Sequence, residues 1–247
     1  ALHWLSAEPG QMVQPLLELA AIRAEMAAGD VRGAEARLES LIRGSAARDM
    51  VGPAVQAAVL ASRRNDRDGA RAAIDRALAL APASPRIHML AGDLQLALGR
   101  PAKAIPAYRF ALGHWPRDPR LLNQLAYALA LAGTPAERVE ALGLTETALA
   151  QQPHYLLRAA LLDTRADLLF RLGHKPEALT AYRELSSTVG GMTTPEQWHR
   201  LGDLARETGD ATGAHAPYEG ALDYGRDYPG RAEAIRRLDP PAGRPQK

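Results

Sequence analysis

PRIHMLAGDLQLALGRPAKAIPAYRFALGHWP, residues 85–116, holds two apolar periodicities separated by a stop signal. Met89, Leu90, Leu94, Leu96, Ala97 and Leu98 recur at helical spacing, and Ala104, Ile105, Tyr108, Ala111 and Leu112 do so again. Gly99 stands where the first helix must end, and Pro101 where the second can open. Two short helices joined by a tight turn cannot bury their apolar stripes alone. The stretch therefore predicts neighbours of similar length against which it stacks.

Gly92, Gly99, Ala104, Tyr108, Ala111 and Pro116 fall at the eighth, fifteenth, twentieth, twenty-fourth, twenty-seventh and thirty-second places of the unit. In this spacing the stretch resembles a tetratricopeptide repeat (TPR). The resemblance implies that small residues at the eighth and twentieth places let the two helices, A and B, approach. The bulky residue at the twenty-fourth then fills the gap, and the proline ends helix B. His88 and Gln95 stand where the family often has Trp and Tyr, so the reading rests on the series.

The series holds. Repeat one starts at Pro15 with Gly29, Ala34, Leu38 and Leu41 in phase; repeat two starts at Val51 with Ala58, Ala70, Ile74, Ala77, Leu78 and Pro82. Asn65 replaces the turn glycine there, a mild change because Asn tolerates the left-handed conformation. Repeat four, from Pro119, carries Leu125, Ala126, Gly133, Ala141, Ala148, Leu149 and Pro153, with three extra residues expected in its turn around TPAERVE. Repeat five, from Ala159, shows Ala166, Gly173, Ala178 and Tyr182, and PHYLLRAA is expected to lengthen its first helix backwards. Repeat six, from Pro195, has Trp198, Leu201, Gly202, Gly209, Ala214, Tyr218, Ala221 and Leu222. Starts at 15, 51, 85, 119, 159 and 195 give spacings of 36, 34, 34, 40 and 36 residues, a register that an unrelated helical bundle has no reason to keep.

The expected architecture is all-α: a right-handed α-solenoid superhelix of about six TPR helix-turn-helix repeats. Residues 1–14 form an N-terminal arm or cap containing Trp4, 15–226 the repeat domain, 227–239 a C-terminal capping helix and 240–247 a disordered tail. SSTVGGMTT, 186–194, reads as a loop, and Pro106 and Pro217, inside second helices, as causes of a bend or a shifted start.

Composition agrees. The 247 residues are 47% apolar with only 5% aromatics and abundant alanine, which favours close-packed helices over sheets. Thirty basic against 28 acidic residues give a net charge of +2 and no footprint for nucleic acid. The absence of cysteine excludes disulfides and thiolate metal sites. The longest uncharged stretch, 121–136, contains Asn123, Gln124, Gly133 and Pro135 and is too short for a membrane span. The start, ALHWLSAEPG, lacks an initiator Met and a signal pattern, so the chain is read as a processed or excised fragment.

By resemblance, one face of each helix A lines a concave groove. The groove candidates are Arg63 in repeat two; Arg86, Met89 and Asp93 in three; Asn123 and Tyr127 in four; Asp163, Asp167, Phe170 and Arg171 in five; and His199, Asp203 and Arg206 in six. Asp93, Asp167 and Asp203 share the ninth place. Such a row reads either as a negative stripe for a partner of basic character or as an ordinary solvated face. Phe170 and Tyr127 are apolar contacts in the groove or packing against the next helix. Of a carboxylate clamp, only Asn123 is present.

His199 and Asp203 share a helix face, but nothing completes a metal site around them, and no phosphate loop or nucleophile elbow occurs. No cofactor is expected. The sequence thus reads as a non-catalytic scaffold binding a protein or peptide. By resemblance it serves in a bacterial envelope assembly, secretion, export or maturation system, in the periplasm or anchored facing it rather than in the cytoplasm. Self-association into a homo-oligomer, or a regulatory domain of a larger protein, are the alternatives.

Overall fold

The computed structural model describes residues 9–44, 51–188, 192–225 and 227–238. Among them it forms helices and turns with no strand. The chain divides into two compact units, residues 1–114 and 115–247.

In the first unit, helices α1 (Pro9–Ala27), α2 (Val31–Gly44), α3 (Val51–Arg63), α4 (Arg67–Leu80), α5 (Pro85–Ala97) and α6 (Pro101–His114) pair consecutively into three antiparallel hairpins. The hairpins stack through α2 on α3, α1 on α3 and α4 on α5. Helix α1 begins at Pro9, inside the stretch 1–14 expected to be an N-terminal arm or cap; Trp4 and residues 1–8 lie outside the described residues.

The second unit contains α7 (Pro119–Ala132), α8 (Pro135–Leu149), α9 (Tyr155–Arg171), α10 (Lys175–Ser187), α11 (Pro195–Glu207), α12 (His215–Asp223) and α13 (Arg231–Leu238). Helices α7–α12 make three further hairpins, and α13 lies on α12. The tail at 240–247 and the centre of the 186–194 loop fall outside the described residues.

The turns show why the sequence folds this way. Gly29, Gly99, Gly173 and Gly209 have φ of 84°, 70°, 81° and 92°, and Asn65 has 59°. In each the next amide reaches back over the helix end, as Arg100 N–H does to the Gln95 carbonyl at 2.8 Å and Asp210 N–H to Ala205 at 2.8 Å. These bonds satisfy carbonyls that the helix leaves open. The following helix is then started by a carboxylate in three repeats: Asp30, Asp66 and Asp210 accept from the amides of Gly33, Gly69 and Gly213 at 2.9, 2.9 and 2.8 Å.

Helix A meets helix B closely where glycine faces tyrosine. A Cβ on Gly92 would lie 2.5 Å from the Tyr108 ring, and one on Gly202 2.7 Å from that of Tyr218. Tyr108, Tyr182 and Tyr218 are completely enclosed. In the second unit Tyr182 and Tyr218 share a core with Leu162, Leu169, Leu185, Leu201 and Ala234. Each fully buried leucine contributes about 1.5–3 kcal/mol.

Repeat four differs from expectation. Its turn is only Gly133–Thr134, because Thr134 and Glu137 form a capping box that starts α8 at Pro135. The extra residues therefore extend α8 ahead of the buried Ala141 instead of enlarging the turn. Helix α9 does start early, at Tyr155. Pro106 lies inside a continuous α6, whereas a 3-10 turn, Thr212–Ala214, precedes α12 and leaves Pro217 in its first turn.

Candidate functional site

In the second unit the first helices of the hairpins, α7, α9 and α11, carry most of the candidate residues, and local chemistry sorts them into three groups. Asn123 and His199, each 8% exposed, are buried. Asn123 Oδ1 accepts from the Thr164 hydroxyl at 3.1 Å, joining α7 to α9. The His199 ring is held edge-on by Tyr218 and Tyr228, with its Nδ1 3.4 Å from the Tyr228 hydroxyl and its Nε2 3.4 Å from Asp203. These two side chains lie between helices, which takes them off an exposed face.

The second group is the carboxylates. Asp167 Oδ1 receives Arg200 Nη1 at 2.6 Å and its Oδ2 receives Arg171 Nε at 2.6 Å. The same Arg200 nitrogen donates to the Tyr182 hydroxyl at 3.0 Å, and its guanidinium lies 4.9 Å above the Phe170 ring. One repeat later the pattern returns. The Tyr218 hydroxyl donates to Asp203 at 2.7 Å, and Arg237 of α13 bonds to Asp203, the Tyr218 hydroxyl and Glu233 while lying over the Tyr218 ring. In the first unit the Tyr108 hydroxyl donates to Asp93 at 2.7 Å. Burial pushes the Tyr182 and Tyr218 hydroxyls up to about 12 and raises that of Tyr108. All three keep their protons at neutral pH.

Asp163 is a half-buried carboxylate. Burial raises it above the usual carboxylate range, and the 2.7 Å hydrogen bond from Gln197 Nε2 opposes that rise.

The third group remains accessible: Tyr127 at 41% and Phe170 at 36% exposure, with Arg171 and Arg206 exposed. In the first unit Arg86 is exposed, Met89 and Asp93 are half-buried, and exposed Arg63 donates to the Met26 carbonyl at 2.6 Å.

Sequence reading missed Arg200, Arg237 and Gln197, which act from a following helix on the preceding repeat. A signal existed nonetheless. Asp93 with Tyr108, Asp167 with Tyr182 and Asp203 with Tyr218 are each fifteen residues apart, and this pairing recurs in the three repeats that hold a buried tyrosine. Among the described residues no three His, Asp or Glu side chains cluster closely enough to hold a metal ion, and no helix is long and apolar enough to cross a membrane.

Residues 55–109 and 90–153 match the family model of the tetratricopeptide repeat. The solved structure of PilW, a type IV pilus biogenesis factor, superposes with a TM-score of 0.73 at 17% identity, covering 94% of this chain and 98% of PilW. PilF of Pseudomonas aeruginosa gives 0.71 at 18% identity, covering 92% and 97%. MamA gives 0.58 at 16%, covering 79% and 97%. No curated protein sequence matches the chain. At these identities the structures speak for the fold, the stacked TPR hairpin, and the family model marks the repeats between residues 55 and 153.

Proposed function

We propose that this tetratricopeptide-repeat chain is a non-catalytic scaffold whose second unit seats an extended peptide or a partner helix on the exposed side of α7, α9 and α11. The observation that carries this reading is Phe170, a large ring left 36% exposed on α9 and covered on one side by the Arg200 guanidinium. Tyr127 on α7 offers a second apolar contact, and Arg171 and Arg206 supply polar ones.

The carboxylates bear on the partner's charge. A basic partner would have to displace Arg200 from Asp167 and Arg237 from Asp203, whereas an apolar side chain on Phe170 displaces nothing. The reading therefore favours an amphipathic segment over a strongly basic one. Fold likeness to PilW, named as a type IV pilus biogenesis factor, supports an envelope system, with the chain in the periplasm or anchored facing it. Self-association is a second reading, favoured by Leu17 on α1 and Ile235 on α13, 58% and 44% exposed; light scattering across a concentration series tests it.

The direct test is affinity capture from the native host with wild type and with Phe170→Ser/Tyr127→Ser. Loss of a wild-type partner from the variant, with the circular dichroism spectrum unchanged, supports the assignment. An identical partner set refutes it.

A further inference from the structure

The basic residues are unevenly distributed. Residues 51–114 carry nine Lys and Arg against four Asp and Glu, while the whole chain carries 30 against 28. Much of this excess sits at the turns of the first unit's hairpins. Arg63, in the last turn of α3, reaches the Met26 carbonyl in the last turn of α1, so both helices end at one edge. The third hairpin continues the stack through α4 on α5 and carries its own turn to the same edge. Along it stand Arg32 in the first hairpin, Arg63, Arg64 and Arg67 in the second, and Arg100 and Lys103 in the third, all exposed.

The carboxylates on this edge are already engaged. Asp30 and Asp66 are turned onto the amides of Gly33 and Gly69. Glu35 is bonded to Arg64, and Asp68 lies 3.3 Å from Arg71. Arg32, Arg67, Arg100 and Lys103 have no carboxylate partner among the described residues, and Arg63 gives its hydrogen bond to a neutral carbonyl. The edge thus presents a row of available cations with its negative charge held locally.

We propose that this edge docks an acidic, extended segment of a partner protein, a run of Asp and Glu side chains laid across the hairpin turns. Charge complementarity sets the chemistry of the occupant. An anionic membrane fits less well, because surface-bound helices also insert large apolar side chains. Among the described residues of this unit the exposed large apolar ones are Leu17, midway along α1, and Leu80, at the far end of α4. Single-stranded nucleic acid would call for aromatic platforms among the cations, and no Trp, Tyr or Phe occurs in the three turns. This edge shares no residue with the α7, α9 and α11 surface and stands or falls independently of it.

Fluorescence anisotropy with a labelled decaglutamate peptide tests the assignment. The variant is Arg67→Glu/Arg100→Glu/Lys103→Glu; acidic residues near the starts of α4 and α6 suit the helix dipoles, so the fold is preserved. Its control, Arg117→Glu/Arg165→Glu/Arg236→Glu, makes the same charge change in the second unit. The expected result is a wild-type affinity that falls with added salt, a loss of at least about tenfold in the edge variant, and little change in the control. Equal binding by wild type and edge variant overturns the proposal, as does an equal loss in the control. Preference of the wild type for phosphatidylglycerol vesicles, or for a decathymidylate oligonucleotide, over the peptide also overturns it.

Discussion

Replacing Arg200 with alanine tests whether the tyrosine, aspartate and arginine nodes hold successive repeats together. The side chain makes three contacts outside its own helix: Asp167 at 2.6 Å, the Tyr182 hydroxyl at 3.0 Å and the Phe170 ring at 4.9 Å. Asp167 keeps Arg171 at 2.6 Å after the substitution, so its charge is not stranded and the half-exposed ion pair accounts for about 0.5–1 kcal/mol. The Tyr182 hydroxyl, on a fully enclosed ring, loses its partner at a cost of about 1 kcal/mol. The cation–π contact adds about 0.5–1 kcal/mol. Arg200→Ala is therefore expected to lose about 2–3 kcal/mol in urea unfolding followed by far-UV circular dichroism.

Tyr182→Phe separates the hydroxyl from the rest. On its own it is expected to cost about 1 kcal/mol, and in the Arg200→Ala background close to nothing, a coupling of about 1 kcal/mol. Hydrogen exchange should place the lost protection in α9–α11, because repeat stability is a sum of local and nearest-neighbour contributions. A loss below about 0.5 kcal/mol for Arg200→Ala, or additive effects of the two substitutions, would refute the coupling.

Gly92→Ala is expected to lower the urea midpoint, since overpacking against Tyr108 at 2.5 Å costs about 1–3 kcal/mol while helix propensity returns at most about 1. Gly113→Ala, with nothing within 4 Å of the new methyl, is expected to raise it by the propensity gain alone. Asp163 has its carboxyl raised by burial, so the folded chain holds that proton more tightly than the unfolded one. Its contribution favours folding below the unfolded value and is lost as pH rises through the folded one; Asp163→Asn should gain on wild type in urea midpoint from about pH 4 toward neutrality. Thr134→Ala removes the capping box of α8 and should cost about 0.5–2 kcal/mol, with exchange protection lost first at the start of that helix.

Turn and packing chemistry were legible because they are local. Gly99, Gly173 and Gly209 announce their φ by residue type, and Asn65 adopts the same region. Gly92 with Tyr108 and Gly202 with Tyr218 announce a close crossing within one repeat. The ion-pair geometry was not legible in the same way. Arg200 and Gln197 reach carboxylates 33 and 34 positions earlier, so their roles depend on how one hairpin rests on the next. Repeat four was misjudged for a related reason: spacing counts residues, and cannot say whether three extra ones widen a turn or lengthen a helix until the Thr134 and Glu137 cap is recognised.

The same inter-repeat geometry explains how so short a helix as α13, with 8 residues, closes the second unit. Arg237 meets Asp203 and Tyr218 as Arg200 meets Asp167 and Tyr182, through a single guanidinium nitrogen shared between carboxylate and hydroxyl. Ala234, fully buried, joins the core that Tyr218 occupies. Helix α13 therefore occupies the seat that the first helix of a following repeat would take, and fills it with that helix's contacts. A generic amphipathic cap would cover the apolar face yet leave Asp203 without its cation. In the second unit the ninth-place aspartates, Asp167 and Asp203, thus recognise the next helix in the stack, which is why they are not free negative charge in the folded chain.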